Sequence, residues 1–343
     1  MTEKILRMAV IGVKNFGISH ARAIAKSKNA CLVKVCDIDE ETAEKASQEL
    51  EVPYCTDYTE ILSDPEIDAI SIATPDQLHV KISTEALEAG KHVLCEKPLA
   101  LELAECKKMV AVAEKSDKKM MVGQIARYTP SFIKAKECID NGEIGEIFFA
   151  ESEYAHDYAE INTPWRLDPK RHPMIGGACH AIDLLRWIVG DPEEVAAFSN
   201  HYMLPKWPTD DCTISILKFK NGAIGKILCS TGCKRRYTMR TVIYGSEGTV
   251  IVDNTSDTMS VFKSKIAESD KFIGEKTQTL EIKIPVAVNN HNVENELADF
   301  LNIVLENIDI GINAREGAKT VAVAEAIINS AQYHSFQKVD YNF

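Results

Sequence analysis

Two rhythms of apolar and polar positions divide the chain. From residue 5 to 122, short and nearly unbroken apolar runs (ILRMAVIG, CLVKVCD, DAISIAT, KHVLCE, KKMMVG) alternate with helical periods such as SHARAIAKS, DEETAEKASQEL, QLHVKISTEALEAG and LELAECKKMVAVAEK. Runs without polar alternation belong in strands covered on both faces, and right-handed crossovers make a doubly wound parallel sheet the expected topology. After about residue 123 the runs alternate instead, as in EIFFAESEYA, EEVAAFSNHY, CTISILKF, AIGKILCST, MRTVIYG and GTVIVD, with turns at Asn221-Gly222 and Gly245-Ser246-Glu247-Gly248. This pattern predicts a mainly antiparallel open sheet with helices on one face. A helix is expected over 178–189, and two amphipathic helices close the chain, the first striped by Val293, Leu297, Phe300 and Val304. The chain thus divides into a doubly wound α/β domain over 1–123 and an α+β domain over 124–343.

Composition narrows the function classes. The 343 residues carry a net charge of -12, and no cluster of lysines and arginines suits a phosphate backbone, so nucleic acid is not an expected partner. Lys234-Arg235-Arg236, the densest basic spot, reads as a solvated turn. No stretch approaches the roughly 18 apolar residues that would span a bilayer, and the N-terminal pattern is not that of a signal peptide. Ten cysteines are scattered without a Cys-x-x-Cys pair, which fits reduced thiols in a cytoplasmic protein rather than disulfides or a zinc ribbon. His156, Asp157, His172, Cys179 and His180 offer donor atoms, but their spacing matches no closed zinc pattern, so no metal site is expected.

Chemistry begins directly after the first strand. Gly12-Val13-Lys14-Asn15-Phe16-Gly17 resembles a dinucleotide loop in which Lys14 holds the place of the second glycine, with a helix starting near Phe16. Asp37 ends the second strand, where a carboxylate accepts hydrogen bonds from ribose hydroxyls and repels a 2′-phosphate. A helix N-cap is the alternative. The first domain is therefore expected to be a Rossmann-type domain that binds NAD, with NADP left open by the Lys14 cation. Thr74 and Pro75 follow the fourth strand at a helix start and could cover the nicotinamide half, with His79 in the helix beyond; a plain turn capped by Asp76 is the alternative.

Glu96-Lys97-Pro98 at the end of the fifth strand is the most specific short signal. With Gly12–Gly17, His20-Ala21, Ala73-Thr74-Pro75, Gly123-Gln124, Arg127, Trp165-Arg166, the helix His180-Ala181-Ile182-Asp183-Leu184-Leu185-Arg186-Trp187 and a C-terminal ELADFL, it resembles the glucose-fructose oxidoreductase, inositol dehydrogenase and MocA (Gfo/Idh/MocA) family over nearly the whole chain. The resemblance implies an NAD(P)-dependent oxidoreductase that moves hydride between the nicotinamide and a secondary alcohol of a sugar, polyol or related carbohydrate. It implies Lys97 and His180 as catalytic residues, with Glu96, Lys97, Gln124, Trp165 and Arg166 joining the cofactor site. Tyr158, Trp165, Arg166, Arg127, Asp183 and Tyr237 join Lys97 and His180 as substrate contacts. It also implies a homodimer or homotetramer through the C-terminal sheet. Many relatives carry Asp four residues before the histidine, and that position is Gly176 here, so Lys97 or another group must do its work. Non-catalytic ligand sensors and NAD-dependent glycosidases that oxidise transiently are the competing classes.

Overall fold

The computed structural model describes residues 5–264, 279–308 and 311–343. Its first sheet is built from β1 (Leu6–Ile11), β2 (Ala30–Cys36), β3 (Tyr54–Cys55), β4 (Ala69–Ile72), β5 (His92–Glu96) and β6 (Met120–Gly123), with α1 (Phe16–Lys26), α2 (Glu40–Leu50), α3 (Thr59–Ser63), α4 (His79–Glu88) and α5 (Leu103–Lys115) between them. The strand order is β3-β2-β1-β4-β5-β6 and every pairing is parallel. Order reverses between β1 and β4, so their carboxyl ends open the crevice in which such sheets bind ligands. All four residues of β4 are buried, as strands covered on both faces require.

The second sheet follows α6 (Pro130–Asp140) and contains β7 (Ile147–Ala155), then β8 (Pro192–Asn200), β9 (Cys212–Phe219), β10 (Ile224–Ser230), β11 (Thr238–Gly245), β12 (Gly248–Asp253), β13 (Thr258–Ser264) and β14 (Thr279–Pro285). Between β7 and β8 lie α7 (Pro173–Gly176) and α8 (Cys179–Val189); α9 (Val293–Leu305), α10 (Ala314–Tyr333) and β15 (Gln337–Lys338) follow. Nine strands run in the order β14-β13-β12-β11-β7-β10-β9-β8-β15, antiparallel except for the parallel pair β7 and β10. That pair departs from simple alternation because a long connection, α8 included, separates the two strands, and parallel neighbours need such a crossover. Helices α6 and α8 pack on this sheet. Along β9 burial alternates strictly, with Leu217 and Phe219 inward and Ile214 and Ile216 outward.

The chain forms two compact units, Met1–Ile125 with Asn292–Ala322 and Tyr341–Phe343, and Ala126–His291 with Val323–Asp340. Helix α9 thus belongs to the first unit, where it packs on α1. Its Val293, Leu297 and Phe300 are buried, as their three-to-four spacing requires.

Candidate active site

At the end of β1 the chain turns sharply. Gly12 has φ +83, and a Cβ there would stand 2.8 Å from the Ala73 carbonyl oxygen, so only glycine fits. A Cβ at Gly17 would collide with the Gly12 carbonyl, which makes it the glycine that lets α1 approach β1. Lys14, between them, is exposed and lies 3.8 Å from Asp39. Asn15 has φ 52 and precedes α1, whose first residue Phe16 meets His20 edge-on at 5.2 Å. The Asp37 carboxylate accepts from the backbone N–H groups of Val13 (3.0 Å) and Asp39 (3.1 Å), tying the β1 loop to the β2 loop. The N-cap of α2 is Asp39, so Asp37 is not a cap.

After β4, a 3-10 turn at Asp76–Leu78 leads into α4. His79 is buried, with Nδ1 2.7 Å from the Pro98 carbonyl and Nε2 3.0 Å from the Thr74 carbonyl. Two carbonyl oxygens demand two N–H donors, which is the imidazolium form. Burial works against that charge, but Cys95, Asp76 and the Pro98 carbonyl outweigh it and raise the pKa to about 10. Both ring nitrogens are used to staple the Thr74 loop to the Glu96-Lys97-Pro98 end. Thr74 Oγ1 and Gln124 Oε1 are buried with no hydrogen-bond partner among the described residues.

Lys97 stands half-buried past the end of β5, and a buried polar chain backs it. Ser71 Oγ lies 3.0 Å from His20 Nδ1, His20 Nε2 lies 3.0 Å from Glu96 Oε1, and Glu96 Oε2 accepts from the Lys97 backbone N–H at 3.2 Å. Burial pushes the Glu96 pKa up, but the His20 hydrogen bond and the charges of His20, Lys97 and His79 pull it below the ordinary carboxylate value.

In the second unit, His180 occupies the first turn of α8 and is 3 % exposed. Its ring stacks on Tyr154 at 6.3 Å and faces His291 at 6.5 Å; His291 in turn stacks on Tyr237 at 5.7 Å. Tyr158 is buried, with its hydroxyl 2.8 Å from that of Tyr154 and its ring against Trp207. Gly177 permits this layer, because a Cβ there would stand 2.7 Å from the Tyr154 ring. Asp183 is held by Arg127 through two 2.7 Å bonds, with Arg186 at 3.7 Å and Arg186 bonded on to Asp191. Arg127 and Asp183 therefore form a buried ion pair that anchors α8.

Trp165 is half-buried rather than a core residue, with the guanidinium groups of Arg166 and Arg171 over its ring at 4.4 and 4.8 Å. Arg171 was not among the residues singled out from the sequence, yet it is 2 % exposed and donates to the Gly176 carbonyl. Its guanidinium fills the space where a side chain at 176 would stand.

Residues 6–124 match the oxidoreductase family with an NAD-binding Rossmann fold, and residues 132–251 match the GFO/IDH/MocA C-terminal domain. The chain belongs to the Gfo/Idh/MocA family. Similar Gfo/Idh/MocA proteins include a myo-inositol 2-dehydrogenase of Thermotoga maritima, 29% identical over 75% of this chain and 78% of that protein. A levoglucosan dehydrogenase of Pseudarthrobacter phenanthrenivorans is 28% identical over 83% of each. A levoglucosan dehydrogenase structure in complex with NADH and levoglucosan superposes with a TM-score of 0.88 at 25% identity, covering 98% of this chain and 100% of that one. As a Gfo/Idh/MocA member the protein is an NAD-linked oxidoreductase, and its residues fit that cofactor. The glycine turn, the Asp37 carboxylate beside it and polar atoms of Thr74 and Gln124 without a partner among the described residues are all present.

Proposed function

We propose that this protein is an NAD-dependent dehydrogenase of a sugar or polyol secondary alcohol in which Lys97 and His180 act on the reacting hydroxyl. The observation that carries the reading is Lys97 at the carboxyl end of β5, preceded by a carboxylate that His20 fixes at 3.0 Å. When bound, NAD supplies the hydride acceptor. An alcohol carbon releases hydride as its hydroxyl proton leaves, and a cation beside that oxygen stabilises the developing negative charge. Lys97 is that cation and His180 takes the proton.

Gly12, Asn15, Phe16, Gly17 and Asp37 would hold the adenosine and pyrophosphate part, with Lys14 at the rim. Ile38, 92% exposed beside Asp37, offers adenine an apolar surface that the sequence reading did not single out. Thr74, Pro75 and Gln124 would meet the nicotinamide half, with His79 and Glu96 behind them. Around the substrate, Trp165 with two guanidinium groups over its ring and Tyr237 beside His291 join flat apolar faces to polar groups, the mixture that hydroxyl-rich ligands need. Tyr158, Arg127 and Asp183 would shape the wall around them. The named activities of the relatives support this substrate class. No helix among the described residues is long and apolar enough to cross a membrane. The described cysteines are free thiols, which supports a reducing, cytoplasmic setting. The outward Ile214, Ile216, Phe198 and Phe148 support a dimer or tetramer through the second sheet.

The test is reduced-nicotinamide absorbance with NAD or NADP and a panel of inositols, anhydrosugars and aldoses. Substrate-dependent reduction that falls about 100-fold or more in Lys97→Ala, with NADH still bound, supports the proposal. Bound NAD without turnover across the panel would point to a sensor instead.

A further inference from the structure

We propose that Glu296 is a positioning residue for Lys97, the last member of a buried chain that runs from Ser71 through His20 and Glu96 to α9. The inference rests on the role just given to Lys97. Glu296 lies on α9, is 0% exposed, and neither of its carboxyl oxygens has a hydrogen-bond partner among the described residues. A ring nitrogen of His20 and one carboxyl oxygen each of Glu96 and Glu296 all lie within 4.8 Å of one another. Gly123 shows where the two carboxyls converge: a Cβ added there would stand 3.1 Å from Glu96 Oε1 and 3.3 Å from Glu296 Oε1. Both acids are thus aimed at the one spot on β6 that lacks a side chain.

Two carboxylates cannot both stay ionised in such a place. Glu96 has the imidazole of His20 and the Lys97 N–H to stabilise its charge, whereas no described residue donates to Glu296. Burial, and then the charge of Glu96, push the Glu296 pKa well above the ordinary value; Lys97 opposes this and Asp299 adds to it. The shared proton therefore resides on Glu296. A neutral carboxyl is a hydrogen-bond donor, and a small side-chain rotation or one bridging water closes the gap to Glu96 Oε1. Glu96 is then gripped from both sides, by His20 and by Glu296, and with it the backbone from which Lys97 projects.

Infrared difference spectra of the intact protein, wild type against Glu296→Gln, test where the proton resides. The expected result is a protonated-carboxyl band at neutral pH that the variant lacks; a carboxylate band would overturn the proposal. Kinetics test the coupling. Glu296→Leu should lower kcat about tenfold, with KM nearly unchanged and a displaced pH profile. Glu296→Gln, neutral and able to donate, should recover most of that loss. Equal losses in both variants, or a fully active Glu296→Leu, would overturn the assignment, as would one equivalent of tightly bound metal in the purified protein. If wild type turns over no member of the panel, the functional reading fails, and the infrared band still decides the state of Glu296. Should Glu296→Leu not fold, Gly123→Ala replaces it, because the added methyl wedges the two carboxyls apart.

Discussion

The guanidinium of Arg171 lies against Gly176, in the volume that a side chain at 176 would take, and holds the Gly176 carbonyl at 3.3 Å. The far end of a flexible side chain can move, so position 176 can accept a substituent only by displacing this cation from its place. Gly176→Ala should fold, lose about 1–2 kcal/mol of stability by overpacking, and raise KM for substrate several-fold with a smaller effect on kcat. Thermal melts and steady-state kinetics check this. An unchanged melting temperature and KM would mean that the location of Arg171 is incidental.

Asp37 joins two loops by accepting from Val13 and Asp39. Replacing it with serine removes the charge proposed to face the ribose and slackens both loops. The KM for NAD should rise about tenfold, and the preference for NAD over NADP should shrink by more than that, because the repulsion of a 2′-phosphate also disappears. Parallel titrations with the two cofactors give the ratio.

His79 makes stability depend on alkaline pH. Its pKa is raised from 6.5 to about 10 in the folded protein. Below pH 6.5 folded and unfolded chains both hold the proton and the full stabilisation is present. As pH rises toward 10 only the folded form still holds it, so stability falls and this contribution is lost once pH passes the folded value. Wild type should lose melting temperature steadily between pH 7 and 10. In His79→Gln the melting temperature should start lower and vary less over the same interval.

The Arg127–Asp183 pair is closed from solvent, with side chains 9% and 1% exposed. Asp183→Asn leaves two guanidinium groups facing a neutral amide and should cost about 3 kcal/mol or more in urea unfolding. Asp183→Leu combined with Arg127→Met should recover part of that loss, because the stranded charge is removed with its partner.

Much of this was legible in the sequence because local patterns report local geometry. Unbroken apolar runs marked the parallel strands β1, β2, β4, β5 and β6, and Gly12, Gly17 and Asp37 have the loop geometry their spacing implied. Strand β3, two residues long, carries too few positions for any period, and β13 to β15 lie where alternation is weak. An amphipathic stripe says that a face is buried but not against what. The stripe of α9 was visible, while its packing on α1 depends on residues far away in sequence. Glu296 did leave a trace, since it falls three residues after Val293 and four before Phe300, on the apolar side of that helix. Arg171 left none, because nothing local distinguishes an arginine that will fill the space over a glycine from one that will meet water.

Because α9 lies against α1, and the Ile312 carbonyl accepts from the Val122 N–H at the edge strand β6, the nucleotide-binding unit is assembled from both ends of the chain. During synthesis the first six strands leave the ribosome long before the helix that packs on α1. Until residues beyond 292 emerge, α1 lacks the helix that packs on it and Glu96 lacks its neighbour on α9. Gain of cofactor affinity should therefore come late in translation, and ribosome-bound chains arrested before α9 should bind NADH more weakly than chains arrested after α10 has cleared the exit tunnel.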